Sequence, residues 1–148
     1  MADMNLVRSL AAADHYAVVG TSRASGGTQA SVVTAGVTEH PLGGGPVVGF
    51  VAQGRTVKLA HVRRDPRLTV VFRNGPEWVT VEGRADLIGP DDSFPGFEPA
   101  QVPRLLREVF VAAGGMHDNW AEYDRVMAAD RRCAVLVHPE RIYSRPGL

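Results

Sequence analysis

Short blocks of alternating apolar and small polar residues dominate this chain, and four stretches switch to helical spacing. Leu6 to Ala13 carries good helix formers at helical intervals and predicts a short first helix. Tyr16 to Thr21 and Thr28 to Val37 are rich in β-branched and small residues, with Ser25-Gly26-Gly27 between them as a turn, so they predict a hairpin. After the loop Glu39 to Pro46, Val47 to Ala52 predicts a third strand, and Arg55 to Arg64 a helix. That helix ends at Asp65-Pro66, because a residue before proline is pushed out of the α region. Leu68 to Arg73 predicts a fourth strand, turned at Asn74-Gly75-Pro76. The next block has strict period two from Trp78: Val79, Val81, Gly83, Ala85 and Leu87 share one face, and Thr80, Glu82, Arg84 and Asp86 the other. Pro103 opens a helix with Leu105, Leu106, Val109 and Ala113 on one stripe, stopped by Gly114-Gly115. Asn119 with Glu122 resembles a capping box for a helix presenting Trp120, Tyr123 and Met127. Cys133 to Val137 predicts the last strand, followed by a tail through Ile142-Tyr143.

About six strands with short flanking helices in 148 residues predict a mainly β (α+β) protein, a single domain over 1–148. Closing the sheet into a small barrel removes exposed edges. The Pro- and acid-rich stretch from Asp91 to Pro103 is an internal connection, since too little chain follows it for a second domain.

Composition narrows the function classes. Sixteen basic residues balance sixteen acidic ones, which argues against a broad nucleic-acid surface. The single cysteine, Cys133, sits in an apolar run and reads as a buried hydrophobe, so neither an intramolecular disulfide nor a zinc cluster is expected. With no signal-peptide pattern and no apolar run near the length of a membrane span, the expectation is a cytoplasmic protein. Phosphate-loop, metalloprotease, nucleophile-elbow and dinucleotide fingerprints are absent. The five histidines share no short metal-ligand spacing; His117 and His138 read as surface or internally satisfied.

The informative stretch is Gln53-Gly54-Arg55-Thr56-Val57-Lys58, at a strand-to-helix junction. Such a junction presents open N–H groups and the positive end of the helix dipole. Arg55 adds a planar fork for phosphate oxygens, Thr56 a hydroxyl and Lys58 a point charge, while His61 shares the Lys58 face at i+3. A solvated helix start with two surface cations fits the spacing equally well. The other fifteen cations are all arginine, and this lone lysine tilts the balance toward a ligand.

Arg55-Thr-Val-Lys58 followed by Val62-Arg-Arg-Asp-Pro-Arg67 resembles a stretch of the pyridoxamine 5′-phosphate oxidase-like split β-barrel family, and within it the actinobacterial branch that uses the deazaflavin coenzyme F420. Gly27-Thr-Gln-Ala-Ser31, Trp78-Val-Thr-Val-Glu-Gly83, Tyr123-x-x-x-Met127, Asp130-Arg-Arg and Pro139-Glu-Arg-Ile-Tyr143 agree in order along nearly the whole chain. The resemblance implies a homodimer of split barrels with cofactor sites at the interface. Arg55, Thr56 and Lys58, with Gln53 and His61 beside them, would then hold the cofactor phosphate. Gln29, Ser31 and the backbone near Val32 and Val33 would line the ring, and Trp78 would close the site or pack between subunits. The implied function is hydride transfer between coenzyme F420 and a small organic acceptor, with no obligatory acid–base side chain. An FMN-dependent enzyme and a non-catalytic flavin- or haem-binding module are the alternatives.

Overall fold

Residues 2–145 are described by the computed structural model of the chain. Helix α1 (Met4–Ala13) begins where the Asp3 carboxylate accepts from the N–H groups of Asn5 at 3.0 Å and Leu6 at 3.1 Å, two residues before the predicted start. It buries Val7, Leu10 and Ala11. Strands β1 (Tyr16–Ser22), β2 (Thr28–Thr34), β3 (Gly36–Glu39) and β4 (Pro46–Ala52) follow, then α2 (Val57–Arg64). Strands β5 (Arg67–Asn74) and β6 (Glu77–Ile88) lead to a 3-10 turn at Pro99–Gln101 and the helices α3 (Val102–Ala112) and α4 (Trp120–Ala129). Strand β7 (Cys133–Ser144) closes the order.

Every strand pair is antiparallel, in the spatial order β2-β1-β5-β6-β7-β4-β3. The two outermost strands, β2 and β3, are joined in sequence by Ala35 alone. A seven-stranded sheet whose edges are one residue apart in the chain has to curl until those edges meet. The result is a barrel split along the β2–β3 seam.

Two strand predictions need correction. The run Thr28 to Val37 is not one strand: Ala35 is fully buried, its N–H donates to the His15 carbonyl at 2.8 Å, and the chain there leaves β1 and begins pairing with β4. The last strand does not stop at Val137 but continues past Pro139 to Ser144, paired with β6. A bulge makes this possible. Glu82 faces Arg141 and Gly83 faces Pro139, so Glu140 is the extra residue. A Cβ on Gly83 would lie 1.9 Å from the His138 carbonyl oxygen, so the close approach of the two strands there demands glycine.

Two cores flank the sheet. Inside the barrel, Val19, Phe50, Val70, Phe72, Val79, Val81, Val135 and Val137 pack with Val7 and Leu10 of α1. Outside it, Val47, Ile88, Ala134 and Leu136 pack under Leu105, Leu106 and Val109 of α3 and Tyr123 of α4. Each fully buried large apolar side chain contributes roughly 1.5–3 kcal/mol. Residues Cys133 to Val137 lie between the two cores and are all buried, which is why that segment reads as a continuous apolar run. The alternation in β6 holds for Val79, Val81, Gly83 and Ala85, but Thr80 is buried too, covered in the row that joins it to Val71 and Tyr143.

Candidate functional site

The strand-to-helix junction after β4 is built on a tight backbone contact. The Gly54 N–H donates to the Asp130 carbonyl at 3.1 Å, and a Cβ at position 54 would lie 2.5 Å from the Arg131 carbonyl oxygen. Only glycine fits there. Arg131, with φ 51°, is itself the one described non-glycine residue in the left-handed region. Thr56 caps α2: its hydroxyl donates to the Gln53 carbonyl at 3.0 Å and accepts from the Leu59 N–H at 3.5 Å. The hydroxyl proton is therefore engaged within the loop, and an incoming anion would meet the open N–H groups of the first turn. Gln53 and Arg55 are exposed.

Charge pairing beside this junction is uneven. Arg63 holds Asp92 through two bonds, at 2.9 and 2.8 Å. Arg131 grips Asp91 in the same forked manner, one bond being 2.7 Å, and that hydrogen bonding holds the Asp91 carboxyl below its usual range. With both carboxylates engaged, Arg55 and Lys58 have no ion-pair partner among the described residues. Lys58 is half-buried, and burial lowers its pKa with no carboxylate to oppose the shift. A desolvated ammonium without a counter-ion is better satisfied by an external anion.

His61 sits one turn further along α2, where its Nδ1 meets the buried Thr21 Oγ1 at 2.9 Å. Thr21 donates to Gln29 Oε1 at 3.4 Å. The hydroxyl has one proton, so His61 Nδ1–H is the donor to Thr21, and Nε2 is left as an acceptor. Ser31 lies two residues beyond Gln29 on the same face of β2, and its Oγ is the described buried side-chain oxygen with no hydrogen-bond partner. An orphaned hydroxyl costs free energy unless a ligand meets it. Val33 packs against the barrel core on that face, whereas Val32 points outward and is exposed.

The structure thus brings Gln53, Arg55, Thr56, Lys58 and His61 together on one loop and helix, and joins Gln29 to them through Thr21. Trp78 stands apart. It lies at the start of β6 opposite Arg73, edge-on to Tyr143 with ring centroids 6.3 Å apart. Thr21 is at the other end of the β1–β5–β6 array, opposite Leu68. Sequence reasoning did not single out Thr21, although a threonine following Ala17 and Val19 on an inward face was the available signal. The Arg63–Asp92 and Arg131–Asp91 pairs join residues 29 and 40 positions apart and left no local trace.

A second polar cluster lies elsewhere. Asp86 Oδ2 is 2.9 Å from His40 Nε2 and 2.6 Å from His138 Nε2, and the two rings stack at 5.1 Å. These three side chains have the spacing of metal ligands. His40 Nδ1, however, accepts from the Leu42 N–H at 3.1 Å, so the proton of the neutral ring is on Nε2 and points at the carboxylate. A metal bound at Nε2 would force a second hydrogen toward that N–H. The cluster is a hydrogen-bonded clasp that ties the residue 40–45 loop to β6 and β7. Cys133 is buried, and burial pushes its thiol pKa up, away from reactivity.

Neither a family model nor any curated protein matches the sequence. Solved structures do match in fold. An F420 reductase superposes with a TM-score of 0.64 at 14% identity, covering 92% of this chain and 92% of its own. A pyridoxamine 5′-phosphate oxidase-related, FMN-binding protein from Nostoc punctiforme gives 0.62 at 15% identity, covering 95% and 79%. A heme-binding protein from Mycobacterium smegmatis gives 0.64 at 19% identity, covering 96% of this chain and 53% of that one. The likeness establishes the fold: it is that of the pyridoxamine 5′-phosphate oxidase-like split barrels, as the residue patterns led us to expect. No described helix is long and apolar enough to cross a membrane.

Proposed function

We propose that this chain is a cytoplasmic, deazaflavin-dependent oxidoreductase that transfers hydride between coenzyme F420 and a small organic acceptor. The observation that carries this reading is Lys58, half-buried without a counter-ion, one helical turn from the His61–Thr21–Gln29 chain. Lys58, Arg55 and the first-turn N–H groups would hold the phosphate. Gln29, Ser31 and His61 Nε2 offer polar groups to the ring, and the Ser31 hydroxyl gains the partner it lacks. The chemistry supplied by the bound group is hydride transfer from its central ring carbon. Against it the chain contributes binding and orientation, and the proton that balances the hydride on the acceptor would come from solvent.

A homodimer is part of the proposal. Val32, Val18, Val71, Thr80 and Tyr143 form one row across five strands on the outer face of the sheet. Within and beside this row Tyr16 is 65% exposed, Val32 65%, Val18 44% and Tyr143 37%. Exposed apolar side chains gathered on one sheet face, Tyr16, Val18 and Val32 among them, are the kind of surface a second copy covers. Trp78, at the other end of the β1–β5–β6 array from Thr21, and the outward-facing Val32 would then act across the interface.

FMN is the alternative cofactor, because the cradle recognises a phosphate common to both, and the FMN-binding neighbour shares the fold. Titration of the purified protein with coenzyme F420, FMN and haem, followed by absorbance and fluorescence, decides among them. The expected result is micromolar binding of F420. Binding of FMN or haem with none of F420 would overturn the reading.

A further inference from the structure

An apolar cavity lies away from the cradle. It lies in the helical cap, has a volume of about 320 Å³, and is walled by Ile88, Phe94, Phe97, Val102, Leu106 and Met127. That volume falls in the range of small-molecule pockets. Its walls are held in place without a ligand. Gly89 and Asp92 exchange backbone hydrogen bonds at 3.0 and 3.1 Å, the Phe97 N–H donates to the Phe94 carbonyl at 3.0 Å, and prolines at 99 and 103 stiffen the entry to α3. Tyr123 binds α4 to α3 by donating to the Leu106 carbonyl at 3.1 Å.

Charge decides what would fit. Three charged side chains line the cavity, and each is already neutralised within the fold: Asp92 by Arg63, Asp124 by Arg107, and Arg132 by Asp130. An ionic ligand would find no free counter-charge, whereas a neutral one loses nothing by entering.

We propose that this cavity is a second ligand site, separate from the cradle, that takes a small, neutral, largely apolar molecule. Its wall residue Asp92 is bound to Arg63 of α2, so the site stands one ion pair from the helix that carries Lys58 and His61.

The probe for a test is the neutral dye N-phenyl-1-naphthylamine, which brightens in apolar surroundings. The proposal expects saturable binding with one dye per chain, weakened tenfold or more by Met127→Trp, which fills the cavity from a half-buried position. Val102→Phe fills it from the opposite helix and should act in the same direction if the first variant fails to fold. Arg8→Gln, exposed on α1, should leave dye affinity unchanged, and neither coenzyme F420 nor FMN should displace the dye. Absence of saturable binding, undiminished binding in folded Met127→Trp and Val102→Phe, loss of binding in Arg8→Gln, or displacement by either cofactor would each overturn it.

Discussion

The cradle on α2 and the cavity under α3 and α4 are opposite solutions to the same problem of leaving room in a packed protein. The cradle is polar, and its chemistry lies in what is left unpaired: the Lys58 ammonium and the first-turn N–H groups. The cavity is apolar, and every charge at its rim is cancelled. The contrast teaches that arginines so numerous in this chain serve mainly as internal ties. Arg63, Arg67, Arg107, Arg131 and Arg132 each fork onto an aspartate, while the lysine does not.

Substitutions can break that contrast from either side. The largest effect is expected at the cavity. Leu106→Ala removes a buried side chain next to an existing void and should cost about 2–5 kcal/mol of stability in chemical denaturation, with cofactor affinity unchanged under conditions where the variant is folded. Equal losses of stability and affinity would mean that the two regions are not independent. Lys58→Ala should do the reverse. A charge-assisted bond to phosphate is worth about 1.5–3 kcal/mol, so cofactor affinity should fall roughly tenfold or more while the melting temperature holds. Unchanged affinity in calorimetric titration would move the phosphate elsewhere.

Lys58 also sets the sign of a pH effect. Its folded pKa is depressed by burial, so the free protein gains stability as pH rises from that lowered value toward the ordinary lysine pKa. Binding an anion needs the charged form. Cofactor affinity should therefore decline on the alkaline side earlier than an ordinary lysine pKa of 10.5 would dictate, and the decline should be absent in Lys58→Ala. The smallest effect belongs to Tyr123→Phe. Burial pushes the Tyr123 phenol up to about 12, and its hydroxyl holds the two cap helices together through Leu106. Losing that bond should lower stability by about 0.5–1.5 kcal/mol and leave the cradle as it was.

Local pattern carried most of the element order, because each strand and helix here has a face that its own residues define. Thr56 and Asp65 mark both ends of α2 as their side-chain chemistry requires, and Asp65, bonded to Arg67, has its pKa lowered to about 2. What the pattern missed depends on pairing between distant segments. Ala35 is too plain to announce that the chain changes neighbours, and Pro139 with Glu140 hid a strand continued by a bulge. In the site, Lys58 and His61 were visible from their spacing, but Thr21 meets His61 from a strand 40 residues away. The cavity had no sequence signature at all. It is the space that Phe94, Phe97 and Met127 leave between them, and such remainders exist only after folding.

The bulge at Glu140 has a consequence for how β7 opens. Ala134 to Val137 are paired with β6 on one side and β4 on the other and are buried. Arg141 to Ser144 pair with β6 alone, with Arg141 and Tyr143 exposed. In deuterated water the first half should keep its amide protons until the barrel itself comes apart, while the second exchanges by local fraying. One continuous strand would behave as a permanent anchor spliced to a hinged flap.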